Sequence, residues 1–181
     1  MDVSNKIRRH GYHLMSLASL GMTGVAVFGL LTMFMPWVPD WSPQWSGWRF
    51  GPGLEWKELV GMHPAGKQLL STSAALWTAA QLIPLLALRQ LGKRLYRNEA
   101  LSRPVADAFR WLAHSLLLYA AFGTAARLLE SLAIAVGQAR ETISIDFDRV
   151  YLFLIACLCL YSVAHLMRLA TDAADDVRSI V

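Results

Sequence analysis

The chain has 181 residues, 55% of them apolar and only 17% charged, with mean hydropathy +0.38, a composition that excludes a disordered tail, a charged coiled-coil rod and a disulfide scaffold. The formal charge of +4 does not point to direct nucleic-acid binding, because the basic residues flank apolar runs and form no stripe with interleaved aromatics. Charge is bunched, with 30 residues free of it between Arg9 and Asp40 and 21 between Lys67 and Arg89, which predicts an all-α integral membrane protein.

The hydrocarbon of a bilayer is about 30 Å thick, so a helix needs roughly 20 apolar residues to cross it. Residues 14–36 meet that length, and Ser16, Ala18, Ser19, Gly21, Gly24 and Gly29 give this first span the small residues that membrane helices use for close approach. The run is too long for the apolar core of a signal peptide, and no small-x-small cleavage site precedes Met35-Pro36-Trp37, so it is expected to be retained. Residues 37–67 carry Trp37, Trp41, Trp45, Trp48 and Trp56 with Pro39, Pro43 and Pro52. Indoles favour the headgroup zone, so this external loop is expected to lie on the outer surface.

The second span, 68–88, carries Ser71, Thr72, Ser73, Thr78 and Gln81, and Pro84 is expected to kink it near its inner end. An amphipathic inner connector, 89–110, follows. Leu91 and Leu95 are expected to face lipid there while Lys93, Arg94 and Arg97 meet anionic headgroups. The third span, 111–131, belongs to a longer helix that starts near Pro104 after a Ser102 cap and ends near Gly137. Arg127 and Glu130 then fall at the far interface, where a charge costs less than mid-membrane.

In the second external segment, 132–148, Thr142 to Phe147 alternates polar with apolar at period two, a strand signal for a short two-stranded β element in which Trp48-Arg49-Phe50 is one candidate partner, though the sequence does not identify the partner. The fourth span, 149–167, has no charge from Val150 to Met167. Cys157 and Cys159 lie about 200° apart around its axis and read as packing residues. The tail, 168–181, places Leu169, Ala173, Val177 and Ile180 on one face and Asp172, Asp175, Asp176 and Arg178 elsewhere, as an amphipathic extension of the fourth helix. Eleven of the 17 Lys and Arg fall in residues 1–13, 89–110 and 168–181, so the positive-inside preference puts both termini in the cytoplasm. The chain thus reads as one membrane domain of four transmembrane helices, 1–181.

The stretch Leu91-Gly-Lys-Arg-Leu-Tyr-Arg-Asn-Glu-Ala-Leu-Ser-Arg-Pro-Val-Ala-Asp-Ala-Phe-Arg-Trp-Leu resembles the bacterial four-helix membrane family catalogued as domain of unknown function 2975. The resemblance extends over about 90 residues, through a segment like Thr142 to Phe147 and through Ala164-His165-Leu166-Met167-Arg168 with its charged tail. It implies the bacterial inner membrane and four spans. Some relatives are encoded beside a small helix-turn-helix regulator, which implies a regulatory pair. The family has no assigned chemistry.

Three histidines share one depth. His13 is four residues from Arg9, His114 four from Arg110 and His165 three from Arg168, so all lie within about 6 Å of the same cytoplasmic boundary. Neutral imidazoles on facing helices ligate haem b iron or a divalent metal, although a half-polar ring is also content at an interface without a ligand. There is no GxSxG, HExxH or P-loop. The primary expectation is a non-enzymatic regulatory or accessory subunit. It would dock a cytoplasmic regulator or a membrane partner through Lys93, Arg94, Arg97, Asp172, Asp175 and Asp176, and small residues at Gly21, Gly24, Ala121 and Ala125 permit contacts within one molecule or in a homo-oligomer. The alternative is a haem- or metal-binding electron-transfer or sensor subunit using His13, His114 and His165.

Overall fold

The computed structural model describes the backbone of residues 3–38, 49–50, 54–55, 59, 61–97, 102–136 and 147–180, and the side chains of 6–38, 59, 61–97, 102–136 and 154–173. Among these, four long helices dominate: α1 (Val3–Phe34), α2 (Pro64–Tyr96), α3 (Arg103–Val136) and α4 (Phe147–Ile180). Each has 32 to 34 residues. At 1.5 Å per residue that is roughly 50 Å, more than hydrocarbon alone accounts for. All four contain segments long and apolar enough to cross a membrane: Lys6–Trp37, Pro64–Tyr96, Arg103–Val136 and Leu154–Ala173.

The helix ends follow from local chemistry. Pro36 has no N–H to continue the ladder, and α1 tightens into a 3-10 turn at Met35–Trp37, closed by the Val38 N–H on the Met35 carbonyl at 3.3 Å. At the start of α2, His63 Nδ1 accepts from the Ala65 N–H at 3.3 Å, capping one of the orphan donors of the first turn. α2 runs unbroken through Pro84 and ends in the basic turn of Lys93 and Arg94. The Ser102 carbonyl receives the N–H groups of Val105 and Ala106 at 3.0 and 3.3 Å, which starts α3 where the Ser-x-Pro pattern places it.

Arg49–Phe50 (β1) pairs antiparallel with Leu54–Glu55 (β2). Phe147 is the first residue of α4, and Thr142 to Asp146 lie outside the described residues. A partner four residues away carries a far smaller loop-closure cost than one about ninety residues away.

The chain divides into two compact units, and α1, α2 and α3 contribute residues to both. Unit 1 holds Met1–Val25, Ala80–Ala121 and Asp146–Val181. Its core is Leu91, Val105 and Ala108, with Leu14, Leu95, Phe109, Leu112 and Met167 packed around it. Leu91 is therefore buried and does not face lipid. The turn that carries the connector's cations lays this face on α3, which offers an apolar partner at no desolvation cost. Similarly, Leu169 and Ala173 in the tail are exposed, while Thr171 is buried. The side chains of Val177 and Ile180 lie outside those described.

Unit 2 holds Ala26–Ala79 and Phe122–Ile145. Leu59, Met62, Leu70, Ala133 and Ile134 form its core. Ser71 Oγ donates to the Met33 carbonyl at 3.0 Å and accepts from Trp37 Nε1 at 2.9 Å, while Ser73 Oγ donates to the Ala126 carbonyl at 2.8 Å. Ser71 and Ser73 thus satisfy carbonyls and an indole N–H on neighbouring segments, as hydroxyls in an apolar medium must.

Burial is inverted relative to a water-soluble protein. The buried set is largely small, with Ala18, Ala80, Ala87, Ala113, Ala126, Ala133 and Ala164 among it, whereas Leu20 is 74% exposed, Phe28 69% and Leu158 66%. Small residues let backbones approach, and large aliphatic side chains face a solvent that welcomes them. The small residues recur every seven positions: Gly11 and Ala18 on α1, Gly66, Ser73, Ala80 and Ala87 on α2, Ala126 and Ala133 on α3, and Cys157, Ala164 and Thr171 on α4. A spacing of seven returns a residue to nearly the same face of a helix after two turns.

Candidate functional site

Most of the residues singled out above fall in unit 1, and they gather in three places. The first is the junction of α2, α3 and α4. The Arg94 guanidinium donates to the Pro104 carbonyl, tying the last turn of α2 to the first turn of α3. At the adjoining residue, Arg103 Nη2 meets Asp172 Oδ1 at 3.0 Å, tying the start of α3 to α4. Both side chains of this pair stay well exposed, 64% and 45%, so water screens it and it fixes geometry more than it adds stability. Lys93 and Arg97 are exposed beside this junction. Asp175 and Asp176 are on the helical backbone of α4, and their side chains lie outside those described.

The second place joins α3 to α4. His114 Nδ1 lies 2.8 Å from the Arg110 carbonyl, and the Tyr161 hydroxyl stands 3.1 and 3.0 Å from Nδ1 and Nε2. The rings meet edge to face, with centroids 5.3 Å apart. The consistent arrangement has Nδ1–H donating to the carbonyl and Nε2 accepting from Tyr161. Both nitrogens of His114 are then used within the protein, and an iron or zinc ion would have to displace Tyr161. Cys157 Sγ donates to the Ala113 carbonyl at 3.5 Å from the buried side of α4, and Cys159 is exposed, as two residues of helical separation require. His165 is exposed on α4, and His13 is exposed on α1 with its ring against Tyr12 at 6.0 Å. Among the described residues no three His, Cys, Asp or Glu come together as a metal-holding group.

The third place was not foreseen from the sequence. α1 and α2 meet backbone to backbone at Gly11 and Gly92. A Cβ on Gly92 would stand 2.8 Å from the Met15 nitrogen and 3.0 Å from the Gly11 oxygen, and one on Gly11 would stand 2.8 Å from the Gly92 oxygen. Only glycine permits this approach. It carries the basic turn of α1 against the last turn of α2, at Tyr96. Arg8 Nη2 donates to the Tyr96 hydroxyl at 3.2 Å, its guanidinium 4.9 Å above the Tyr96 ring, and Tyr12 lies 6.2 Å from that ring. Arg8, Arg9, Tyr12 and Tyr96 line an open recess of about 410 Å³, and Lys6, Arg9, His10 and His13 line a second of about the same volume. The signal available in the sequence was a glycine embedded in each basic segment, Arg-Arg-His-Gly-Tyr and Leu-Gly-Lys-Arg.

Compared with known proteins, the chain matches no family model, no curated protein and no solved structure.

Proposed function

We propose that the chain is a four-span bacterial inner-membrane protein with cytoplasmic termini, of the kind the resemblance to domain of unknown function 2975 implies, and that it serves as a regulatory or accessory subunit. Its docking surface is the junction of α2, α3 and α4, and its partner is a cytoplasmic regulator or a neighbouring membrane subunit. The observation that carries this reading is the double tether, Arg94 to the Pro104 carbonyl and Arg103 to Asp172, over the Leu91, Val105 and Ala108 core. The end of α2, the nearby start of α3 and the distant α4 are held as one surface that leaves Lys93 and Arg97 outward. A face already ordered loses little entropy on docking, and opposite charge on a partner would steer the encounter.

Photocrosslinking in native membranes tests it. A crosslinker at Lys93 or Arg97 is expected to trap a discrete protein adduct, and one at exposed Leu158 to trap lipid. Equal patterns at the three positions would remove the docking reading.

A further inference from the structure

We infer that the recess between α1 and α2 binds the phosphate of an anionic phospholipid headgroup, with Arg8 and Arg9 as its cationic walls and Tyr12 and Tyr96 as its aromatic rim. Four observations carry this. The Gly11 and Gly92 contact holds the turn that carries Arg8 and Arg9 against the last turn of α2 at Tyr96, so these two cations are fixed beside one recess where a loose helix end would let them separate. No carboxylate among the described residues lies within ion-pair distance of Lys6, Arg8 or Arg9, and Arg94 is taken by the Pro104 carbonyl. Lys6, Arg8 and Arg9 are thus left open to an anion from outside the described residues.

The guanidinium of Arg8 is held in place by the Tyr96 ring and hydroxyl, which uses one of its five N–H donors and leaves a pre-oriented fork for a phosphate oxygen pair. Finally, the site borders an apolar segment. The charge-free stretch of α1 begins at His10, and Leu17 and Leu20, 67% and 74% exposed, continue the helix face that carries Arg9 and His13. A headgroup in the recess would lay its acyl chain along these leucines. A soluble phosphate would gain nothing from them, and this continuity favours the lipid.

The test uses the purified full-length chain in neutral detergent, with native mass spectrometry and thermal melting against added phosphatidylglycerol, phosphatidylcholine and inorganic phosphate. Phosphatidylglycerol is expected to bind at least about tenfold more tightly than phosphatidylcholine and to raise the melting temperature. Arg8→Gln with Arg9→Gln is expected to remove that preference, and Arg168→Gln, which deletes one cation elsewhere on unit 1, to keep it. Arg9→Lys retains charge without the planar fork and is expected to lose roughly threefold to tenfold. Should the double variant fail to fold, Arg9→Lys measured against Arg168→Gln decides alone. Equal binding of the two lipids, or losses no greater than that of Arg168→Gln, overturns the proposal. Inorganic phosphate binding as tightly as phosphatidylglycerol, with the same arginine dependence, overturns the lipid as occupant.

Discussion

Ser71 illustrates how much one hydroxyl can carry where water is scarce. It satisfies the Met33 carbonyl, near the end of α1 where ladder partners run out, and it receives the Trp37 indole, so two groups depend on it. Ser73 serves a single carbonyl, at Ala126. Substituting Ser73→Ala is expected to cost about 0.5–1 kcal/mol and Ser71→Ala about 1–2 kcal/mol, read as unfolding free energies in mixed micelles. Equal costs would show that the Trp37 bond adds nothing. At His114, Tyr161→Phe removes the hydroxyl that faces the ring. A double-mutant cycle with His114→Ala is expected to give a coupling of about 0.5–1 kcal/mol, and a value indistinguishable from zero would dissolve the pair. The serines were visible in the sequence as polar residues in an apolar run. Their acceptors were not, because a carbonyl on another helix has no sequence signature.

Helices bring these residues together, and the sign of a glycine substitution reports where they touch. Glycine in a helix interior is less favourable than alanine by about 1 kcal/mol, so a glycine with free space around it gains stability on replacement. Gly24 has nothing within reach of an added Cβ. Gly24→Ala is therefore expected to raise the melting temperature slightly. Gly11→Ala and Gly92→Ala drive a methyl into backbone atoms and are expected to destabilise by about 1–3 kcal/mol net. If all three substitutions shift stability in the same direction, the crossing at Gly11 and Gly92 is not where the helices meet. Composition could place small residues on these helices, and the expectation of contact at Gly21 and Gly24 followed from their position mid-span. Gly21 meets only the Leu85 side chain. The backbone-to-backbone approach lies nearer the basic end, where Gly11 meets Gly92.

At the scale of the molecule, the protein is lipid-solvated on physical grounds. Exposed leucines and phenylalanines on α1 and α4 have no aqueous counterpart, since a soluble monomer rarely shows such continuous apolar surface. The untagged chain is expected to sediment with membranes and to resist alkaline extraction, and recovery in the supernatant would contradict it. Under the proposed cytoplasmic placement of both termini, a reporter fused near Arg97 is expected to remain inside the cell and one fused in residues 39–48 to be exported. Reversal of both signs would invert the proposed topology and move the proposed docking surface to the other compartment.

Four apolar spans, the start of α3 at Ser102 and Pro104 and the opposed faces of Cys157 and Cys159 were legible from the order of residues, because hydropathy and helical period are local quantities summed along the chain. The burial of Leu91, the pairing of Arg49–Phe50 with Leu54–Glu55, the engagement of His114 by Tyr161 and the recess beside Tyr96 were decided only in three dimensions. Each depends on which residue of another segment arrives opposite. That is set by how segments far apart in sequence pack on one another, and no single stretch of sequence contains it.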